Sequence, residues 1–210
     1  MKYNAFYFDL DGTLYSNETG LMDMINERIN EWILKTVPMD PEAVSAFRKD
    51  MFTRYGATLP GLAVEYGSDY YASMYYCHDL DVESVIHPNP ELAEVLKGIS
   101  GEKFIFTSSY RFYANRVLKA LGILDCFDGV IDALDVYPKP KPAHSSFLRA
   151  LEITARKTAE GCVFLDDQPR NIKAGHEVGF FSVQVGTQHE PAAEADAVAS
   201  RIEDISQLFH

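Results

Sequence analysis

The chain has 210 residues, 47% of them apolar, and a formal net charge of −12. Such an apolar share belongs to a folded globular protein, and the length holds one ordinary domain plus a modest insertion. The acidic balance excludes a general binder of nucleic-acid backbones, which needs clustered Lys and Arg, but local cations and a metal can still serve a small anionic substrate.

The first predicted element is an apolar, aromatic strand over residues 5–8. It runs into Asp9, Leu10, Asp11, Gly12 and Thr13, so two carboxylates stand at its end, one residue apart. Gly12 suits a sharp turn there. Two close carboxylates repel, so they make sense beside a cation. The fixed positions of Asp-x-Asp-Gly-Thr arise by chance in roughly two chains of this length per thousand, which makes an incidental acidic turn the weaker reading.

Residues 21–87 break the pattern that follows. Helices are predicted over 22–34 and 42–54, the second with Pro41 in its first turn after Asp40. A tyrosine-rich stretch covers 68–77, and Pro88 and Pro90 mark the return to the main body. From there, apolar strands at 103–107, 129–133, 162–165 and 181–185 alternate with helical patterns at 92–99, 113–121, 145–153 and 172–178. Residues 190–196 read as a surface loop, and Ile202, Ile205 and Leu208 fit a final short helix.

Strand–helix alternation predicts an α/β fold, a doubly wound Rossmann-like parallel sheet covered on both faces. Such sheets bind ligands beyond the carboxyl ends of their strands. Asp9, Thr107 and Asp166 each fall at one of those ends, which groups them in one site.

Other features carry less. Cys77, Cys126 and Cys162 show no Cys-x-x-Cys spacing and so no disulfide or zinc framework, and Cys162 reads as a small core residue. The six histidines form no metal-binding pattern. No apolar run is long enough to span a membrane, and the N-terminus leads straight into a strand rather than a signal peptide, so the expected setting is cytoplasmic.

Four segments together resemble the haloacid dehalogenase superfamily of phosphohydrolases. They are Asp9-Leu10-Asp11-Gly12-Thr13, Phe104-Ile105-Phe106-Thr107, Lys139-Pro140-Lys141-Pro142, and Val163-Phe164-Leu165-Asp166-Asp167, in the family's order. The resemblance implies a core of residues 1–20 and 88–210 with a helical cap at 21–87. It also implies Mg²⁺-dependent hydrolysis of a phosphomonoester, with Asp9 as nucleophile and Asp11 as general acid. An acid at position 11 favours phosphatase or mutase chemistry over dehalogenation. Thr107, Ser108 and Lys141 are the implied phosphate-binding residues. Lys141 is preferred over Lys139 because the family pattern sets a Lys-Pro six residues before an aromatic helix residue, here Phe147. Asp9, Asp167 and the backbone carbonyl of Asp11 are the implied metal ligands, with Asp166 acting through water or orienting a ligand. Asn171 stands where many relatives carry another Asp. Arg170 can reach a substrate, but its default reading is an exposed arginine at a helix start.

Two stretches are similar to the pyrimidine 5′-nucleotidase branch: Arg54-Tyr55-Gly56-Ala57-Thr58-Leu59-Pro60-Gly61-Leu62 and Phe164-Leu165-Asp166-Asp167-Gln168-Pro169-Arg170-Asn171-Ile172. Ser108 departs from that branch, which usually has Asn there. This similarity implies a nucleoside monophosphate such as UMP or CMP. The alternatives are a small sugar or organic phosphate such as phosphoglycolate, and a silent member that only binds a phosphorylated ligand. Tyr66, Tyr70, Tyr71, Tyr75 and Tyr76 can supply rings to stack on a base, or can pack the cap's own core.

Overall fold

The computed structural model describes residues 2–209. Its centre is one six-stranded sheet of order β3-β2-β1-β4-β5-β6. The strands are β1 (Ala5–Phe8), β2 (Glu102–Phe106), β3 (Gly129–Ile131), β4 (Cys162–Asp166), β5 (Phe181–Val185) and β6 (Ala197–Ala199), each parallel to its neighbours. β1 lies between β2 and β4, with Tyr7 opposite Phe104 on one side and Phe164 on the other. The segments after these three strands therefore meet at one end of the sheet.

Alternation along β1 divides the core in two. Phe6 and Phe8 face Leu92 and Leu96 of helix α5 (Pro90–Gly98) and Val117 and Leu118 of α6 (Arg111–Leu121). Ala5 and Tyr7 face Phe147 and Leu151 of α7 (His144–Ile153) and Ile172 of α8 (Pro169–Val178). Both faces of the sheet are covered, so its central strands read as continuous apolar runs.

Four more helices lie between β1 and β2: α1 (Leu21–Thr36), α2 (Val44–Tyr55), α3 (Thr58–Tyr66) and α4 (Tyr70–His78). They have their own core of Ile33, Val37, Val44, Leu59, Leu62, Met74 and Cys77, joined by Ala133 from beyond β3. Leu80, Val82 and Ile86 pack with the α5–α6 face of the sheet, so the chain rejoins the main core before Pro88. Among the described residues no helix is long and apolar enough to cross a membrane.

Two elements have no counterpart in the sequence reading. α3 contains Pro60 and Gly61, which punctuate the pattern as a loop. Pro60 is the third residue of the helix, where its missing N–H breaks no intrahelical bond. Gly61 allows α2 to approach, since a Cβ there would lie 2.8 Å from Met51 Sδ. The edge strand β6 has three residues, too short for periodicity to register. The chain's final turn is present, as a 3-10 helix over Ile202–Leu208.

Candidate active site

Asp9 follows β1, and its backbone N–H donates to the Leu165 carbonyl at 2.8 Å, which fixes it beside β4. Its Oδ1 accepts from Lys141 Nζ at 2.8 Å and its Oδ2 from Thr13 Oγ1 at 3.2 Å. Lys141 is 2% exposed and also donates to Asp166 Oδ2 at 2.7 Å. Burial alone would depress the Lys141 pKa, but Asp166 and Asp9 outweigh it, and the ammonium is held above its ordinary value. Lys139, two residues earlier, is exposed.

Asp166 is fully buried and also accepts from the Gln168 N–H at 2.8 Å and from Asn171 Nδ2 at 3.0 Å. These bonds make it an orienting group for Lys141. Asn171 is thereby explained: its amide nitrogen braces Asp166, and its Oδ1 is buried without a donor. Asp167 Oδ2 accepts from Gln168 Nε2 at 2.6 Å, while Asp167 Oδ1 is likewise buried and unpartnered.

Asp9, Asp166 and Asp167 each offer an oxygen, all within 4.8 Å of one another. Burial, then the neighbouring Asp166 charge, pushes Asp167 up to about 6. Burial raises Asp9 well above the usual carboxylate range, with Lys141 opposing and the neighbouring acids adding. An all-oxygen donor set with orphaned acceptors and mutually repelling carboxylates fits a hard divalent cation such as Mg²⁺. Gly12 makes room for this arrangement. Its φ is +83°, and a Cβ would sit 2.9 Å from Asp167 Oδ2.

The Asp11 side chain stands outside that cluster. Its Oδ1 accepts from the hydroxyls of Tyr15 at 2.5 Å and Tyr113 at 2.9 Å, and its Oδ2 from Ser109 Oγ at 2.5 Å. Sequence reasoning missed these partners, because Tyr113 and Ser109 reach Asp11 only when β2 and α6 are placed beside β1. Thr107 is buried at the end of β2 with its Oγ1 accepting from the Ser109 N–H at 2.9 Å. Ser108 is exposed beside it.

Above Asp9 a cavity of about 480 Å³ opens between the sheet end and the helical insert, and Ser108 and Asp167 reach it from the core. Its insert wall includes Ile25, Phe52, Leu59, Pro60 and Met74. His78 reaches it from α4. The His78 Nδ1 lies 2.7 Å from the Met74 carbonyl and must carry the proton there, and burial lowers the ring's pKa.

One expectation is corrected, and one open choice is narrowed. Arg170 is not an exposed helix-start residue: its guanidinium lies 3.9 Å from the Phe52 ring centroid and lines the cavity. Of the five tyrosines considered, only Tyr70 lines the cavity. Tyr66, Tyr71 and Tyr75 are exposed, and Tyr76 packs on Trp32. The helical spacing of the tyrosines does not distinguish the one face that meets the core.

The chain has relatives of known sequence and fold. The sequence is 26% identical over 213 residues to the validoxylamine A 7′-phosphate phosphatase of Streptomyces hygroscopicus subsp. limoneus, covering 97% of this chain and 96% of that one. It is 24% identical over 191 residues to phosphate metabolism protein 8 of Saccharomyces cerevisiae, covering 83% of this chain but spanning only 59% of the yeast protein. The fold superposes on the crystal structure of a HAD phosphatase from Thermococcus onnurineus with a TM-score of 0.64 and 22% identity, covering 98% and 97% of the two chains. The family pattern matches residues 3–179, so the chain belongs to the haloacid dehalogenase-like hydrolases.

Proposed function

We propose that the protein is a Mg²⁺-dependent phosphomonoester hydrolase acting through an aspartyl-phosphate on Asp9, with pyrimidine nucleoside 5′-monophosphates as preferred substrates. The observation that carries the reaction is Lys141 bridging Asp9 and Asp166 beside the buried acidic cluster. An Asp9 carboxylate oxygen attacks phosphorus, and the ester P–O bond breaks. Asp11 gives its proton to the leaving oxygen, then takes one from the water that releases phosphate. Lys141 neutralises charge that develops on the phosphoryl oxygens, and Thr107 and Ser108 donate to them. Bound Mg²⁺, held by Asp9, Asp167 and the Asp11 carbonyl, would lessen repulsion between the two anions. The helical insert over 21–87 acts as a cap on this reaction, and the same reading takes the cytoplasm as the working compartment.

The base preference is supported by the apolar insert wall and by two rings, Phe52 and Tyr70, that line the cavity. A second reading, a small sugar or organic phosphate, is supported by the activity named for the Streptomyces relative. Turnover of UMP, CMP, AMP, GMP and phosphoglycolate under one Mg²⁺ condition tests the choice. UMP or CMP is expected to show the highest kcat/KM. If AMP leads, the pyrimidine reading fails; if no ester is hydrolysed, the phosphatase reading fails with it.

A further inference from the structure

The chain has nine arginines, and seven of them have a carboxylate within ion-pair distance. Among the described residues Arg48 and Arg170 have none, and both line the cavity above Asp9. In an acidic protein, carboxylate partners for arginine are plentiful, so this coincidence points to a role.

Neither side chain is simply solvated. Both are half-buried, and burial lowers the proton affinity of each. Arg48 donates to Asn30 Oδ1 at 2.9 Å and Asn26 Oδ1 at 2.6 Å, which are neutral amide oxygens, and no carboxylate charge acts on it appreciably. Arg170 lies on the Phe52 ring, and its one hydrogen bond is a long 3.5 Å contact to the Gly56 carbonyl. Its Nε is buried with no acceptor. Asp166 and Asp167 act on Arg170 only from beyond ion-pair distance, and they are engaged with Lys141 and the acidic cluster. Asp23 also lines the cavity but is exposed and pairs with neither arginine. Arg48 and Phe52 are one helical turn apart on α2, so the two cations flank the same stretch of wall. A partly desolvated cation without an anion is costly, and an incoming anion removes that cost.

We propose that Arg48 and Arg170 form a second anion subsite on the leaving-group side of the cavity, and that the alcohol released by this enzyme carries its own carboxylate or phosphate. The proposal rests on the phosphatase reading and sharpens its second form, a small organic phosphate. It competes with the pyrimidine form, because UMP and CMP release nucleosides that bear no such anion: UMP or CMP leading phosphoglycolate in kcat/KM counts against the subsite, and the reverse order counts against the pyrimidine reading. The two arginines are specificity residues, since neither meets the reacting atoms.

The test compares esters that differ at the group distal to the scissile phosphate. Phosphoglycolate is paired with phosphoglycolamide, and ethylene glycol bisphosphate with ethylene glycol monophosphate. Within each pair the members differ in whether the group distal to the scissile phosphate is charged, and the two pairs separate carboxylate from phosphate as its source. Preference is read as kcat/KM in the wild-type enzyme with Mg²⁺, and as Kd by calorimetry in Asp9→Asn, which does not depend on turnover. At least one charged member is expected to be favoured by about 10- to 100-fold, the range for charge-assisted hydrogen bonds. Arg48→Met and Arg170→Met should collapse that ratio, and Arg48→Lys and Arg170→Lys should keep part of it. Circular dichroism checks that each variant is folded, and the wild-type ratio stands without any variant. Ratios near one in both pairs overturn the proposal. So does an equal loss for charged and uncharged members, because arginines that merely brace the insert would weaken both alike. Failure of the wild type to hydrolyse p-nitrophenyl phosphate would instead overturn the phosphatase reading, and the calorimetric ratio would still decide the subsite.

Discussion

Asp9 and Asp11 are chemically alike and one residue apart, yet their surroundings differ, and the proposed reaction gives them different work. Asp9 is buried against Lys141, whereas Asp11 is held by three hydroxyls and points away from the acidic cluster. Asp9→Asn is therefore expected to abolish turnover and aspartyl-phosphate formation, observed as loss of acid-stable phosphate transfer to the protein. Asp11→Asn should slow alkyl esters far more than aryl esters, because only poor leaving groups need the proton. Near-wild-type kcat in Asp9→Asn would refute the assignment. Lys141→Ala should lower kcat by about 10²–10³-fold, in line with removing one charge-stabilising donor. It should also destabilise the fold by about 3–5 kcal/mol, since two buried carboxylates lose their cation. Lys139→Ala should change neither kinetics nor melting. The acids were legible in sequence because they close apolar runs, whereas Lys141 was legible only through the family spacing to Phe147. Ser109, Tyr15 and Tyr113 were not, since what unites them is convergence on one carboxylate from separate elements. Arg170 was misread because its ring partner, Phe52, is more than one hundred residues away in the chain.

At the level of elements, α8 carries Asn171 and Arg170 into the site, and its seat on the sheet is set by Gly175. A Cβ there would meet Phe164 Cδ1 at 2.8 Å, Ser182 Oγ at 3.1 Å and Phe147 Cε1 at 3.3 Å. In an exposed helix, Gly→Ala stabilises by about 1 kcal/mol. At this contact overpacking should prevail, and Gly175→Ala is expected to cost about 1–3 kcal/mol net in urea unfolding. A stabilised variant would mean that α8 is free to shift outward. The strands that seat these helices were legible to within about a residue or two, because buried parallel strands leave continuous apolar runs. Helix starts were placed late at α5 and α8, whose first residues are Pro90 and Pro169 and lie ahead of the apolar stripe. α3 escaped notice because Pro60-Gly61 is a loop signal by composition and a close helix contact by geometry. Packing partners settle such cases, and local sequence does not contain them.

Across the whole molecule, a chain of net charge −12 concentrates three of its acids in one buried cluster. Without a cation this arrangement opposes folding, and the sign follows from the pKa directions. Asp9 and Asp167 are both raised, Asp167 to about 6, so the folded state binds their protons more tightly than the unfolded chain does. The metal-free protein should therefore lose stability as pH rises from the unfolded carboxylate value of about 4 through about 6. For Asp167 alone that loss is on the order of 3 kcal/mol. Mg²⁺ needs the ionised ligands, so at about pH 5 it must displace the Asp167 proton, whereas at about pH 7.5 it meets an Asp167 carboxylate that is already charged. Saturating Mg²⁺ is then expected to raise the melting temperature by about 5 °C or more at the higher pH, and by much less at the lower. Thermal melts in EDTA and in Mg²⁺ at the two pH values measure this directly. Asp167→Asn supplies the control: it removes one repelling charge, so its metal-free form should melt above the wild type at about pH 7.5 and respond weakly to Mg²⁺. An equal Mg²⁺ effect at both pH values, or an Asp167→Asn protein that still gains fully from the metal, would show that the cation binds elsewhere.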